Sequence, residues 1–295
     1  MTENVAFLGL GVMGYPIAGH LAEARYKVTV YNRTGGRARG WLREYGATGK
    51  GGHKAAETPR EAALGADIVF ACVGADKDVR SVTIGLEGAF SSIKEGAVFV
   101  DHTTTSAELA KELAIEAEKR GFGFVDAPLS GGQAGAVAGQ LTVMAGGAEG
   151  AFGKVEGAIG CYAKMVRLLG PAGAGQTAKM VNQICIAGIV QGLSEALHFG
   201  LEAGLDMEAV VAVISNGAAQ SWQMDNRAAT MIRGEFDFGF AVDWMRKDLG
   251  IVLGEAERLG IDLPLTKLVD GFYAEVQALG GARQDTSSLI RRFRE

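Results

Sequence analysis

One segment limits the fold more than any other: the strand, glycine turn and helix compressed into residues 5–31. Val5-Ala6-Phe7-Leu8 has the composition of a short buried strand. It runs into Gly9-Leu10-Gly11-Val12-Met13-Gly14, then Tyr15-Pro16 and a helical stretch from Ile17 to Ala24. Pro16 suits a first helical turn, where a missing N–H costs nothing. Lys27-Val28-Thr29-Val30-Tyr31 is the next strand. The three glycines thus stand between a strand and a helix, the context that gives G-x-G-x-x-G its meaning. The first allows the turn, the second lets a pyrophosphate approach the backbone, and the third lets helix pack on strand. The helix start then offers free N–H groups and a positive dipole end to phosphates. Dinucleotide binding follows from that arrangement.

The second strand ends in Asn32-Arg33-Thr34. A site selective for NAD usually carries Asp or Glu there, bonded to the ribose hydroxyls. Asn32 removes a charge that would repel a 2′-phosphate, and Arg33 supplies a forked cation that would attract one. The expected cofactor is NADP, with NAD as the alternative.

The βα alternation continues. Thr58-Pro59-Arg60-Glu61 reads as a cap, a proline in the first turn and a short helix. Ala66–Val73 is a buried strand ending at Gly74, and Ala97–Asp101 is another, followed by His102-Thr103-Thr104-Thr105. Thr105 and Glu108 have capping-box spacing before a helix to Arg120. Gly74 and Thr104 would face the crevice of a doubly wound sheet. Lys50–Lys54 reads as a loop insertion. Phe122–Asp126 is a strand running through Ala127-Pro128-Leu129 into the bend Ser130-Gly131-Gly132. That bend is either an ordinary turn or a small nest of N–H groups suited to a carboxylate. Leu141–Gly147 and Met165–Leu169 read as closing strands.

From Gly173 the pattern changes. A proline-free run to about Gly204 carries apolar residues on nearly every side and predicts one long helix, buried all round. Lys179, Asn182 and Gln183 interrupt it at i, i+3 and i+4, on a single face. A lysine on a buried helix must be paired, neutral or turned toward a ligand. A structural ion pair and a catalytic ammonium both fit the helix taken alone. Beyond Gly204 the chain reads as helical, including Met207–Ile214 and an amphipathic stretch from Arg246 to Leu259. The expected division is a dinucleotide-binding domain over 1–164 and a helical domain over 165–295.

Composition narrows the function classes. A net charge of -5 leaves no electrostatic footprint for nucleic acid. No apolar run reads as a membrane span, and Met1-Thr2-Glu3-Asn4-Val5 does not resemble a secretory leader. Cys72, Cys161 and Cys185 lie far apart in apolar sequence and read as buried reduced thiols, which suits a cytoplasmic protein. The histidines His20, His53, His102 and His198 have no metal-ligand spacing, so no metal is expected.

Four motifs occur in a fixed order: Gly9-Leu10-Gly11-Val12-Met13-Gly14; Asp126-Ala127-Pro128-Leu129-Ser130-Gly131-Gly132; Gly173-x-Gly175 with Lys179 and Asn182; and Lys247-Asp248-Leu249. Together they resemble the β-hydroxyacid dehydrogenases, and the likeness covers essentially the whole chain. The group includes 3-hydroxyisobutyrate dehydrogenase, tartronate semialdehyde reductase and glyoxylate/succinic semialdehyde reductase. The resemblance implies an α/β Rossmann domain followed by an all-α domain, joined by a long interdomain helix, in a homodimer or homotetramer. It implies that Lys179 is the catalytic lysine and that Ser130, Gly131 and Gly132 hold the substrate carboxylate. It implies further that Lys247 is a second active-site lysine, and that Val73, Gly74 and Thr104 contact the cofactor, as does Lys247. This chain departs from some relatives in carrying Asn182 three residues and Gln183 four residues after the lysine, and Gly74 where proline is common.

The expected reaction is reversible hydride transfer between NADP(H) and a short β-hydroxy acid or aldehyde acid. Lys179 donates a proton as alkoxide charge develops, and takes one back in oxidation, which burial favours. Asn182, with Gln183, orients the lysine or the substrate hydroxyl, and Ser130 fixes the carboxylate. The other classes are an imine reductase, which usually has another residue at the lysine position, and a noncatalytic nucleotide-binding module.

Overall fold

The computed structural model describes residues 3–294 and divides them into two compact units, one through Lys179 and one from Met180. In chain order the first unit contains β1 (Asn4–Leu8), α1 (Gly14–Glu23), β2 (Lys27–Tyr31), α2 (Gly35–Tyr45), β3 (Lys54–Ala55), α3 (Pro59–Ala63), β4 (Ile68–Ala71) and α4 (Asp76–Thr83). It continues with β5 (Val98–Asp101), α5 (Ala107–Lys119), β6 (Gly123–Asp126), β7 (Leu129–Ser130), α6 (Gly132–Val137), β8 (Leu141–Gly147), α7 (Glu149–Ile159) and β9 (Ala163–Leu168). Helix α8 (Ala174–Glu202) begins there and continues into the second unit. The second unit adds α9 (Met207–Ile214), α10 (Trp222–Arg233), α11 (Val242–Leu259), α12 (Pro264–Ala278) and a 3₁₀ segment, Thr286–Phe293. This is the Rossmann domain and all-α domain that the sequence leads one to expect.

The strand order is β3-β2-β1-β4-β5-β6-β8-β7, with β9 on β8. Strands β1 to β6 are parallel, whereas β8 runs antiparallel to β6. The sequence order reverses between β1 and β4, and a crevice at such a switch point is where α/β sheets take ligands. Register fixes what lines it. Leu8 pairs with Tyr31 and Ala71, Ala71 with Asp101, and Asp101 with Asp126, so five parallel strands end level.

Side chains on a strand alternate between faces, and here both faces are buried, which is why the strands read as unbroken apolar runs. Val5, Phe7, Val28, Val30, Ile68, Phe70, Val98 and Val100 join one core with Ile17, Leu21 and Trp41 of the helices. Ala6, Leu8, Val69, Ala71 and Phe99 join the opposite core with Val79, Leu109 and Leu113. Phe70 stacks on Phe7 at 5.9 Å and on the His102 ring at 5.5 Å. Truncating so enclosed an aromatic costs about 3–5 kcal/mol.

The second unit packs around two smaller cores. Ala187, Val190, Val242, Met245, Leu249, Val269 and Tyr273 form one, and Leu193, Leu197, Met207, Met224, Met231 and Ile290 the other. Its helix boundaries follow capping chemistry. The Asp206 side chain accepts from Glu208 N and Ala209 N, Ser221 caps α10, and Gly234 and Gly260 end α10 and α11 in the left-handed conformation.

Six expectations are corrected. The division at residue 164 would cut β9, which pairs with β8 inside the first unit. Thr105 does not cap α5: Ser106 is the N-cap, its Oγ accepting from Leu109 N, while Thr105 N donates to Gln176 Oε1. Lys50–Lys54 is not wholly a loop, since Lys54 and Ala55 add an edge strand beside β2. Helix α8 is not buried all round. Val181, Cys185, Ile189 and Phe199 are exposed, and three of them recur at intervals of four, a bare stripe that apolar content cannot distinguish from a core-facing one. By length and composition α8 also passes as a membrane span, contrary to the sequence reading, although its opposite side builds the helical cores. The thiols are free, but Cys72 and Cys161 are only half-buried and Cys185 is exposed.

Candidate active site

The glycine turn after β1 is shaped as the motif requires. Gly9 has φ +100°, and a Cβ there would lie 2.3 Å from the Cys72 carbonyl oxygen. A Cβ on Gly14 would lie 2.0 Å from Gly9 O, so the turn closes only with hydrogen at both positions. Gly11 is different: nothing lies within 4 Å of its Cβ position. The backbone is therefore bare at this glycine, where the motif receives a pyrophosphate; a groove of about 410 Å³ starts at Gly11 and Val12 and runs away along Tyr15, His20, Glu44 and Tyr45. The residues fit a dinucleotide.

Asn32, at the exit of β2, is tied to this turn. Its Oδ1 accepts from Leu10 N at 2.9 Å and its Nδ2 donates to Thr34 O at 3.1 Å. Arg33 projects with 88% of its side chain exposed, 3.5 Å from Asp78. Thr34 occupies the N-cap of α2 without a side-chain cap bond. Arg37, in the first turn of α2, donates to Leu10 O at 2.9 Å. The sequence reading missed Arg37, although the spacing Arg33-Thr34-Gly35-Gly36-Arg37 could have shown it. Val73 and Gly74 follow β4 and Thr104 follows β5, so the level strand ends put all three at the crevice. Val73 N donates to Thr103 Oγ1 at 3.0 Å, joining the two exits.

The bend after β7 is a glycine turn. Gly131 has φ +125° and Gly132 φ +61°, both in the region that favours glycine, and space around the Cβ position of Gly132 is open. Ser130 pairs with Thr142 across β7 and β8, which fixes the side from which the bend departs. Lys179 reaches this place from α8. It is 7% exposed, and its Nζ donates to Leu129 O at 2.8 Å, one residue before Ser130.

The start of α8 is anchored by groups that the sequence reading did not single out. Asp126, at the end of β6, takes Gly173 N on Oδ1 at 2.7 Å and Gln176 N on Oδ2 at 2.9 Å. Gln176 is wholly buried, donating to Thr103 O at 2.7 Å and accepting from Thr105 N at 3.0 Å. Burial raises the Asp126 carboxyl to about 6, against the lowering effect of these N–H groups. It raises Asp101, on the neighbouring strand, to about 7. His102 is a core histidine: Nδ1 lies 2.6 Å from Ala127 O and Nε2 2.8 Å from Tyr162 Oη. A carbonyl only accepts, so Nδ1 carries the proton and Nε2 accepts from the tyrosine. Burial lowers this imidazole to about 4 and keeps it neutral.

In the second unit the polar residues that follow Lys179 on the helix form their own chain. Asn182 Nδ2 donates to Gln183 Oε1 at 2.8 Å, and Gln183 Nε2 donates to Asp248 Oδ2 at 2.7 Å. Lys247 Nζ stands 3.0 Å from Asp248 Oδ1. Gln183 thus connects the α8 residues to the Lys247-Asp248 pair of α11, a link between residues 65 apart in sequence.

Residues 4–170 match the family described as the NAD binding domain of 6-phosphogluconate dehydrogenase. Residues 173–293 match NAD-binding of NADP-dependent 3-hydroxyisobutyrate dehydrogenase. An uncharacterized oxidoreductase of Shewanella frigidimarina is 57% identical over 98% of both chains. The 2-hydroxy-3-oxopropionate reductase of Escherichia coli is 33% identical, over 98% of this chain and 96% of its own. A structure of Mycobacterium tuberculosis 3-hydroxyisobutyrate dehydrogenase with L-serine superposes with a TM-score of 0.88, at 27% identity and with all of both chains covered.

Proposed function

The chain belongs to the β-hydroxyacid dehydrogenase family of oxidoreductases, and on that premise we propose that it moves a hydride between NADP(H) and a short β-hydroxy acid, as 3-hydroxyisobutyrate dehydrogenase does. The observation that carries the reading is the buried Lys179 ammonium on Leu129 O, next to the Ser130-Gly131-Gly132 bend. One residue away from a turn suited to a carboxylate, this ammonium serves the hydroxyl oxygen, which a β-hydroxy acid carries two carbons beyond its carboxyl carbon. Lys179 donates its proton to that oxygen in reduction and accepts it in oxidation, and as a cation it stabilises the developing alkoxide. Ser130 and the N–H groups that follow hold the carboxylate, so the reacting carbon has one orientation. Asn182 shares the lysine's helix face and orients the substrate hydroxyl. A bound nicotinamide supplies the hydride donor or acceptor.

Preference for NADP is supported by the neutral Asn32 side chain and by two arginines, Arg33 and Arg37, flanking the uncapped start of α2. The substrate class is supported by the L-serine of the Mycobacterium tuberculosis structure, itself a β-hydroxy acid. The test is turnover of NADPH with methylmalonate, succinic and tartronate semialdehydes and glyoxylate, each beside its ester. A carboxylate site requires the acid to exceed the ester by at least about tenfold in kcat/KM, and Ser130→Ala to narrow that gap. Equal turnover of acid and ester removes the carboxylate from the proposal. Absence of turnover on every acid removes the substrate class.

A further inference from the structure

We infer that Asp126, acting with Gln176, is the positioning residue for Lys179, holding the first turn of α8 so that the ammonium stands at the Ser130 bend. The inference rests on the reading of Lys179 as proton donor.

Asp126 is fully buried at the end of β6, and its two carboxylate oxygens are divided between two N–H groups of one helix start, Gly173 N and Gln176 N. The first N–H groups of a helix have no partner within it, and an anion there also meets the positive end of the helix dipole. The approach is close enough to dictate residue types around it. A Cβ at Gly175 would stand 2.8 Å from Asp126 Oδ2, and one at Gly146 would stand 2.7 Å from Oδ1. Gly175 of the helix start and Gly146 of β8 thus leave room for this carboxylate, Gly175 also clearing Met144 O and Asp126 O.

Gln176 fixes the same turn in a second direction. Its amide is used at both ends on the exit of β5, through Thr103 O and Thr105 N. Thr103 in turn accepts from Val73 N at the crevice. The first turn of α8 is thus fastened to β6 by Asp126 and to the cofactor side by Gln176. Lys179 follows Gln176 at i+3, the neighbouring position on the helix surface. Its Nζ returns to Leu129 O, in the segment that Asp126 begins. The chain from Asp126 to Leu129 consequently grips α8 at two levels, its start and its lysine tip. A shift of about 1 Å in a reacting group can cost roughly 10²-fold in rate, so this is a device on which kcat depends.

An asparagine cannot replace the carboxylate. It offers one oxygen, and its NH₂ would face Gly173 N or Gln176 N, donor against donor. Asp126→Asn should lower kcat at least about tenfold, with NADPH affinity by fluorescence titration changed less than about threefold. The decisive measurement repeats the substitution in Lys179→Met. If Asp126 acts through the lysine, the double variant has the residual kcat of Lys179→Met alone. A structural role would instead multiply the two losses, since nothing would route it through Nζ. Gln176→Met, which leaves Asp126 in place, provides the same cycle if Asp126→Asn does not fold. Multiplied losses in the cycle, or wild-type kcat in a folded single variant, overturn the inference while leaving Lys179 as the acid. An active Lys179→Met protein overturns both readings at once.

Discussion

Lys179 Nζ and Leu129 O meet at 2.8 Å in the interior of the first unit, one residue before Ser130. A lysine whose purpose was an ion pair would seek a carboxylate. This one also reaches a carbonyl, that of Leu129, beside the Ser130 bend.

Lys179→Met separates catalysis from architecture. The substitution preserves side-chain length and helix propensity and removes the proton donor. General acid–base catalysis contributes about 10²–10⁴-fold, so kcat should fall by at least about two decades. Leu129 O loses its donor, at a cost of about 1–3 kcal/mol, so the melting temperature should drop by a few degrees. A folded variant with most of its activity intact would sink the mechanism.

Cofactor choice can be read at Arg33. Its guanidinium is exposed and lightly held, while Arg37 is already bonded to Leu10 O. Arg33→Ala should therefore lower kcat/KM for NADPH by at least about tenfold, as expected for a lost charge-assisted bond to phosphate, and leave NADH nearly unchanged. A wild-type enzyme that favours NADH, or a ratio unmoved by the substitution, would count against the reading of Asn32-Arg33-Thr34.

What the sequence revealed, and what it hid, divides by range. The Gly9 to Gly14 turn was legible because its sequence signature lies within one βαβ unit, although Cys72 O also crowds Gly9. The helix face of Lys179, Asn182 and Gln183 followed from helical spacing alone. Asp126 was visible only as part of a motif. Its partners are 47 and 50 residues away, and a carboxylate at a strand end gives no local sign of which helix it will cap. The bond between Gln183 and Asp248 was hidden for the same reason. The cap of α5 was misplaced by one residue: Ser106 holds it, while Thr105 N donates to a distant glutamine. The exposed stripe of α8 escaped because hydrophobicity measures what a side chain prefers rather than what covers it.

Stability should depend on pH through Asp101. Burial lifts this carboxyl from its ordinary 3.8 to about 7, with Thr103 donors opposing the rise. The folded protein then binds a proton more tightly than the unfolded chain between those values. The stabilisation is complete below about pH 3.8 and is lost as pH rises through 7. Asp101→Asn keeps an acceptor for Thr103 N and cannot ionise. It should match the wild type near pH 4 and exceed it at pH 8 by about a few kcal/mol in chemical denaturation. His102 titrates in both proteins and cancels from the difference. A pH-independent difference would mean that Asp101 is not buried as an acid.

The first two glycines of the turn make the sharpest contrast, because one alanine meets backbone and the other meets nothing. Gly9→Ala places a methyl 2.3 Å from Cys72 O, at a φ of +100° that alanine rarely adopts. Backbone in such a conformation costs about 1–3 kcal/mol before the clash is counted, so the variant should be strongly destabilised with or without cofactor. Gly11→Ala finds open space within 4 Å and needs no unusual φ. Its melting temperature without cofactor should equal or slightly exceed that of the wild type, since alanine restricts the unfolded chain more than glycine does. Its methyl, however, stands where the motif brings the pyrophosphate against the backbone. NADPH affinity should therefore weaken by at least about tenfold, and the rise in melting temperature on adding NADPH should shrink accordingly. Measured side by side, the pair distinguishes a turn that needs glycine for its own shape from one that needs it for a ligand. Wild-type NADPH binding by Gly11→Ala would show that the pyrophosphate does not approach there.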